Sequence, residues 1–156
     1  LPAPLTSRGA PPTATVALAG LATDNRELIE WGFRRTKPWG ARLGGYDAIT
    51  TVVENLLPRL MDDAQLGRFW QNRGADGLRR EKQLLIDFLC ASAGGPLYYT
   101  GRDMALSHKG MRISGSDWTA FIGHLNATLD TFQVPRQERD EVIAFVESTK
   151  ADIVEV

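Results

Sequence analysis

The sequence predicts an all-α fold of six helices or so, and three observations carry that expectation. Apolar residues recur at helical spacing in four long segments. No stretch alternates with period two for long enough to make a strand, and no segment repeats another. Proline and glycine gather where those segments end. A chain of 156 residues with 43% apolar content can bury one proper core and is short for two.

Residues 1 to 40 read as an N-terminal extension with one short helix. "LPAPLTSRGAPPTA" is an irregular, proline-rich arm. In "TDNRELIEWGFRR", Asp24 is a candidate N-cap with Glu27 three residues on, ahead of Leu28, Ile29, Trp31 and Phe33. Pro38 and Gly40 stop that helix. The periodicity is clearest next: Ile49, Val52, Val53, Leu56, Leu57 and Leu60 lie on one stripe. Pro58 falls inside it and predicts a kink or a 3₁₀ stretch near Leu57 to Leu60. "DDAQLGRFWQNRGAD" is a polar connection carrying Leu66, Phe69 and Trp70. "GLRREKQLLIDFLCASAGG" then sets Leu78, Leu85, Phe88, Leu89 and Ser92 on a stripe that closes at Gly94-Gly95. "DWTAFIGHLNATLDTF" repeats the pattern through Trp118, Phe121, Ile122, Leu125, Leu129 and Phe132. The last helix starts near Pro135 and continues through Val142, Phe145, Val146 and Ile153.

Composition excludes several functions. A net charge of −1 and no long run of lysine and arginine argue against a nucleic-acid surface. No apolar run approaches the ~20 residues a membrane span needs. The single Cys90 cannot form an internal disulfide and reads as a small buried hydrophobe. The sequence contains no P-loop, GxGxxG, HExxH, CxxC or GxSxG pattern, so catalysis by side chains alone is poorly supplied. A cytoplasmic location is the expectation; because the chain opens on Leu1, a processed N-terminus, export and organelle import stay open.

One stretch stands out. In "GRDMALSHKGMRI", Met104, His108 and Met111 fall at i, i+4 and i+7, which on a helix puts one imidazole in the middle of a soft apolar face. Such an imidazole can be a hydrogen-bonded core residue, a solvent-facing group, a catalytic base or a metal ligand, and spacing alone favours the first two. The only other histidine, His124, reads as a surface or helix–helix hydrogen-bonding residue.

"LGGYDAI", "DDAQLGRFW", "FLCASAGGPLYYTGRDM", "SHKGMRI" and "DWTAFIGHL" resemble, in order and spacing, the group I truncated haemoglobins, from about Leu43 to about Val146. The resemblance implies a truncated globin domain over residues 41 to 156, a two-over-two helical sandwich around haem b (iron protoporphyrin IX). It makes His108 the proximal iron ligand, with Met104, Met111 and Ile113 as soft walls around its nitrogen. It matches Phe69 and Trp70 to the family's aromatic pair, tryptophan standing where phenylalanine is more usual. Leu57, Leu78, Glu81, Leu85, Phe88, Leu89, Tyr99, Trp118 and Ile122 complete the implied cofactor contacts, and no residue is assigned as catalytic.

The departures from the family shape the expected function. Where many relatives hold oxygen with a tyrosine and a glutamine, this chain carries Leu57 and Leu85, neither of which donates a hydrogen bond. Leu84 stands where some relatives bring a second histidine to the iron, and Glu81 stands at the ligand entrance. Glu81 reads either as a side chain with its head in water or as an acid that gates the pocket and handles protons. The reading is a pentacoordinate haem protein binding O2, CO or NO in an apolar pocket, with nitric oxide dioxygenation or weak peroxidase chemistry open to it. A reductase or protein partner is the further partner implied. The alternative is a non-catalytic haem sensor or interaction subunit that docks through the extension, where Trp31, Phe33 and neighbouring Trp39 form an interface or fold back as a lid.

Overall fold

The computed structural model describes residues 38–95 and 97–156. The helix expected after Asp24, with Trp31 and Phe33, lies outside the described residues. Seven helices follow: α1 (Trp39–Leu43), α2 (Gly45–Asp62), α3 (Ala75–Ser92), α4 (Met104–His108), α5 (Gly115–Thr131), α6 (Arg136–Ser148) and α7 (Lys150–Ile153). A 3₁₀ turn, Gly67–Trp70, interrupts the connection from α2 to α3. Among the described residues there is no strand.

The buried stripe of α2 is Ile49, Val53, Leu56, Leu57 and Leu60, each apolar side chain contributing roughly 1.5–3 kcal/mol by leaving water. The expected 3₁₀ stretch is absent, and the helix stays α-helical through Pro58. Pro58 is exposed, so the carbonyl it leaves unpaired faces solvent while the leucines on the other face hold the helix to the core. The stop of α3 follows the expectation: Gly95 N–H donates to Cys90 O (2.9 Å) and Gly94 N–H to Ala91 O (3.3 Å), a Schellman end with Gly94 at φ +80°. A Cβ on Gly94 would lie 2.6 Å from Pro38 Cβ, so close approach demands glycine as much as the dihedral does.

α2 packs against α3 on one side and α5 on the other. α5 and α6 are tied at both ends, by Trp118 Nε1 to Glu147 Oε1 (3.2 Å) and by Arg139 to Asn126 O (2.9 Å). α1 is fastened to α6 through Arg42, whose side chain is only 7% exposed and pairs with Glu138 at 3.2 Å and with Glu141. Hydrogen bonding from Arg42 holds the Glu141 carboxyl below its ordinary range. The last helix was expected to be continuous, but it breaks at Thr149, where the hydroxyl donates to Val146 O (2.7 Å) and the chain restarts as α7. That break turns Thr149 and Ile153 toward the domain's interior cavity.

Candidate functional site

His108 is the last residue of α4. Asp103 caps that helix, its Oδ1 accepting from Leu106 N–H (2.7 Å), the arrangement expected of aspartate at an N-cap. Helical spacing was expected to run on to Met111; instead the helix ends at His108 and Gly110 takes φ +83°. Met111 therefore sits in a loop, and still borders the cavity that His108 faces.

The imidazole is oriented by its neighbours. Nδ1 lies 2.8 Å from the Met104 carbonyl oxygen. A carbonyl only accepts, so Nδ1 carries a proton and donates it; of the two neutral tautomers this bond selects the one whose lone pair is on Nε2. Ser107 Oγ, 2.9 Å from the same Nδ1, steadies that side of the ring.

The cavity has a volume of about 530 Å³, within the range of small-molecule and cofactor sites. α3 supplies one wall with Glu81, Leu84, Leu85, Phe88 and Leu89. α2 brings Leu57, and the 3₁₀ turn brings Phe69 and Trp70. The opposite wall holds Tyr99, Met104, His108, Met111, Ile113 and Trp118. Two sequence-selected residues fall outside it. Leu78 borders a second recess of about 260 Å³, which shares Leu57, Trp70 and Glu81 with the cavity. Ile122 borders neither: the cavity face of α5 runs through Trp118, Phe121, Leu125 and Leu129, and Ile122 is turned off that line onto the core.

At the far end of the cavity, sequence reasoning selected Phe88 and Tyr99 but not Phe145 or Trp39. There Tyr99, Phe88, Phe145 and Trp39 form a chain of rings with centroids 5.2, 5.7 and 5.9 Å apart, spacings at which aromatic pairs attract. Trp39 thus folds back on the domain. Tyr99 donates its hydroxyl to Arg102 O (2.7 Å), and burial, with nearby Asp103 adding to it, pushes its phenol up. The apolar periodicity around Phe145 was visible in sequence, but nothing local marked it as cavity-facing.

At the rim Glu81 has fixed partners. Its carboxylate accepts from Trp70 Nε1 (3.1 Å) and from Arg73 Nη1 (2.9 Å), with the side chain 33% exposed. It is neither loose in water nor aimed freely into the pocket, but tied between an indole and a guanidinium. Elsewhere on the walls Leu57, Leu84 and Leu85 present no polar side-chain atom. His124 lies away from the cavity lining and pairs with Asp63 at 2.8 Å, joining α5 to the end of α2. That bond, with the backbone N–H groups of Leu66 and Gln65, lowers the Asp63 carboxyl.

Asp117 anchors the same corner. It is 1% exposed and accepts from Ser114 N–H, Gln65 Nε2 and Arg68 Nη2 at 2.7–2.9 Å. Burial alone would raise its carboxyl, but the bonds from Ser114, Gln65 and Arg68 outweigh it and hold the group far below the ordinary range. The signal was present in sequence: Ser114 and Asp117 stand at capping-box spacing.

The sequence profile of the family described as "Bacterial-like globin" matches residues 41–155. The group 1 truncated haemoglobin GlbN of Mycolicibacterium paratuberculosis is 31% identical over 116 residues, 73% of this chain and 83% of that protein. The group 1 truncated haemoglobin of Tetrahymena thermophila is 31% identical over 71% of this chain and 89% of its own length. This chain belongs to the group 1 truncated haemoglobins. The truncated globin family binds haem and small gaseous ligands, and its fold is the two-over-two helical sandwich described above. A variant of the Tetrahymena pyriformis truncated haemoglobin, in its Fe(III) form, superposes with a TM-score of 0.71 at 28% identity, covering 77% of this chain and 100% of that one. As in that family, the chain is all-helical among the described residues, and no helix there is long and apolar enough to cross a membrane.

Proposed function

We propose that this truncated globin holds haem b in the cavity through His108 and binds a diatomic ligand, O2, CO or NO, at the iron. The observation that carries the reading is the Nδ1–H bond to the Met104 carbonyl at 2.8 Å. Metal-bound histidines are set in this way, the second nitrogen being fixed by a backbone or carboxylate acceptor. The donor set fits the group. Among the described residues no cluster of three His, Cys, Asp or Glu side chains gathers, so His108 suits a metal whose other ligands arrive with it, as a porphyrin's do. The apolar walls fit a large flat ring, and Arg80, which borders the cavity and has no ion-pair partner among the described residues, offers charge to its carboxylates.

Haem supplies the coordination and redox chemistry; the chain's residues decide what surrounds it. His108 would hold the iron. Leu57, Leu84 and Leu85 line the cavity with apolar side chains and would give a bound ligand's partial negative charge no donor. Leu84 and Leu85 also offer no nitrogen there, which supports a pentacoordinate resting state. A second reading, nitric oxide dioxygenation or peroxide turnover, has the Glu81–Arg73 pair in its favour, a carboxylate and a guanidinium able to hold and move protons at the rim.

The test is optical. Chain supplied with haem is expected to show an intense Soret band, a five-coordinate ferrous spectrum and rapid CO binding. A reduced spectrum of strongly six-coordinate type without added ligand overturns the resting state, and no haem uptake overturns the reading altogether.

A further inference from the structure

Immediately after His108 the chain makes an unusual turn. Gly110 takes φ +83° and Arg112 takes φ +55°, a left-handed conformation that residues with a side chain rarely adopt. Two backbone N–H groups are thereby turned the same way, the kind of concavity that receives an anion. It already holds one. Glu155 Oε1 accepts from Gly110 N–H (2.7 Å) and Glu155 Oε2 from Arg112 N–H (2.6 Å).

The backbone beside that carboxylate is fixed as well. Glu155 N–H and Val156 N–H donate to Ile113 O at 2.8 and 3.3 Å, and Gly115 N–H donates to Val156 O at 3.2 Å. α7, just before it, packs on α4. The segment bracketed in this way carries His108 at one end and the cavity residues Met111 and Ile113 along its length. The Glu155 carboxyl lies below its ordinary range, chiefly through the Gly110 and Arg112 bonds, with Arg112 and Lys109 adding charge.

We infer that Glu155 is a positioning residue for His108, holding the 109–113 loop so that the imidazole keeps one aim toward the cavity; this rests on His108 being the iron ligand. Glu155 touches neither the cavity nor the ring. It acts by closing a left-handed turn that the loop's own bonds do not close, since only Met111 N–H to His108 O (3.1 Å) spans it from within.

The experiment uses haem-loaded protein and compares Glu155→Gln with Asp63→Asn. Asp63 also accepts from two loop N–H groups, those of Gln65 and Leu66, and does so at the end of α2 rather than on the 109–113 loop. The readouts are the iron–histidine stretching band in the ferrous state and the rate of haem transfer to an apoglobin acceptor. Glu155→Gln is expected to broaden or shift the band and to speed haem loss by about tenfold, as loss of an outer-shell support does at metal sites. Asp63→Asn is expected to lower thermal stability and leave both readouts at the wild-type values. Glu155→Asp, which keeps the charge and shortens the reach, falls between and serves if the glutamine variant does not fold. A wild-type band and wild-type haem loss in the Glu155 variants overturn the inference, as does an equal effect of Asp63→Asn. A wild-type chain that takes up no haem removes the iron-ligand reading and this inference together.

Discussion

On one side of the cavity α3 runs for 18 residues as a regular helix; on the other, α4 lasts five residues and gives way to a left-handed turn. The α3 wall meets the cavity with leucines and a phenylalanine, its polar bonds confined to the rim at Glu81. The α4 wall is dense in directional bonds, from Asp103 at the cap through Met104 and Ser107 on the imidazole to Glu155 under the loop. In the proposed function the two walls have different tasks. One keeps a volume dry, which non-directional apolar packing does well. The other aims a single nitrogen, which needs hydrogen bonds because packing alone leaves a ring free to turn.

The largest expected effect breaks the aiming wall. His108→Ala is expected to abolish the Soret band or reduce it to weak, easily lost absorption, whereas His124→Ala leaves the spectrum near wild type because its bond is to Asp63. Equal haem loss in both variants would show that neither wall is organised around one ligand.

The buried anchor that borders the cavity beside Trp118 comes next. Asp117→Ala leaves Arg68 and Gln65 without their buried acceptor and is expected to cost about 2–3 kcal/mol in denaturant unfolding, the exposed Arg68 side limiting the loss. Asp63, Asp117, Glu141 and Glu155 all titrate below their ordinary values of 3.8 or 4.5 in the folded domain. Groups lowered by folding contribute stability above those ordinary values and lose it as pH falls through the folded ones. Acid unfolding followed by circular dichroism should therefore steepen below about pH 4, and Asp117→Asn should make it shallower. An unchanged acid limb in that variant would remove Asp117 from the account.

The dry wall is tested by wetting it. Leu57→Tyr or Leu85→Gln places a donor where the cavity lining has none, and each is expected to slow oxygen release about tenfold, the effect of roughly 1.4 kcal/mol of hydrogen bonding. A native protein that already holds oxygen for minutes, or donor variants with unaltered release, would mean that Trp70 or Glu81 is the true distal contact. The smallest effect belongs to the rim. Glu81→Leu frees Trp70 and Arg73 and is expected to change CO association by about two- to fivefold if the three form a gate, the scale of one exposed ion pair. Lost peroxide reactivity at unchanged CO association would assign Glu81 to proton handling instead.

The local pattern of this chain was enough for its long helices. The apolar periodicity of α2, α5 and α6 predicts their buried faces, and the glycine pair after Ala93 predicts where α3 stops, because both signals lie within a few residues of what they specify. On α3 the expected stripe of Leu85, Phe88 and Leu89 is half-buried on the cavity, Ser92 is exposed, and Ile86 and Cys90 are the buried pair, because the cavity takes the face that the periodicity assigns to the core. The resemblance directed attention to His108 for the same reason: its motif is short and contiguous. Contacts between distant segments were not legible. Glu155 meets Gly110 across 45 residues, Asp117 meets Gln65 across 52, and Phe145 joins Phe88 and Trp39 only once α6 has docked. Even Pro58, a breaker by its own chemistry, is absorbed because α2 is held from its other face. Helix period and caps depend on neighbours along the chain, so sequence determines them; the turn after His108, the tether on Glu81 and the aromatic end of the cavity depend on neighbours in space, which only the folded chain brings together.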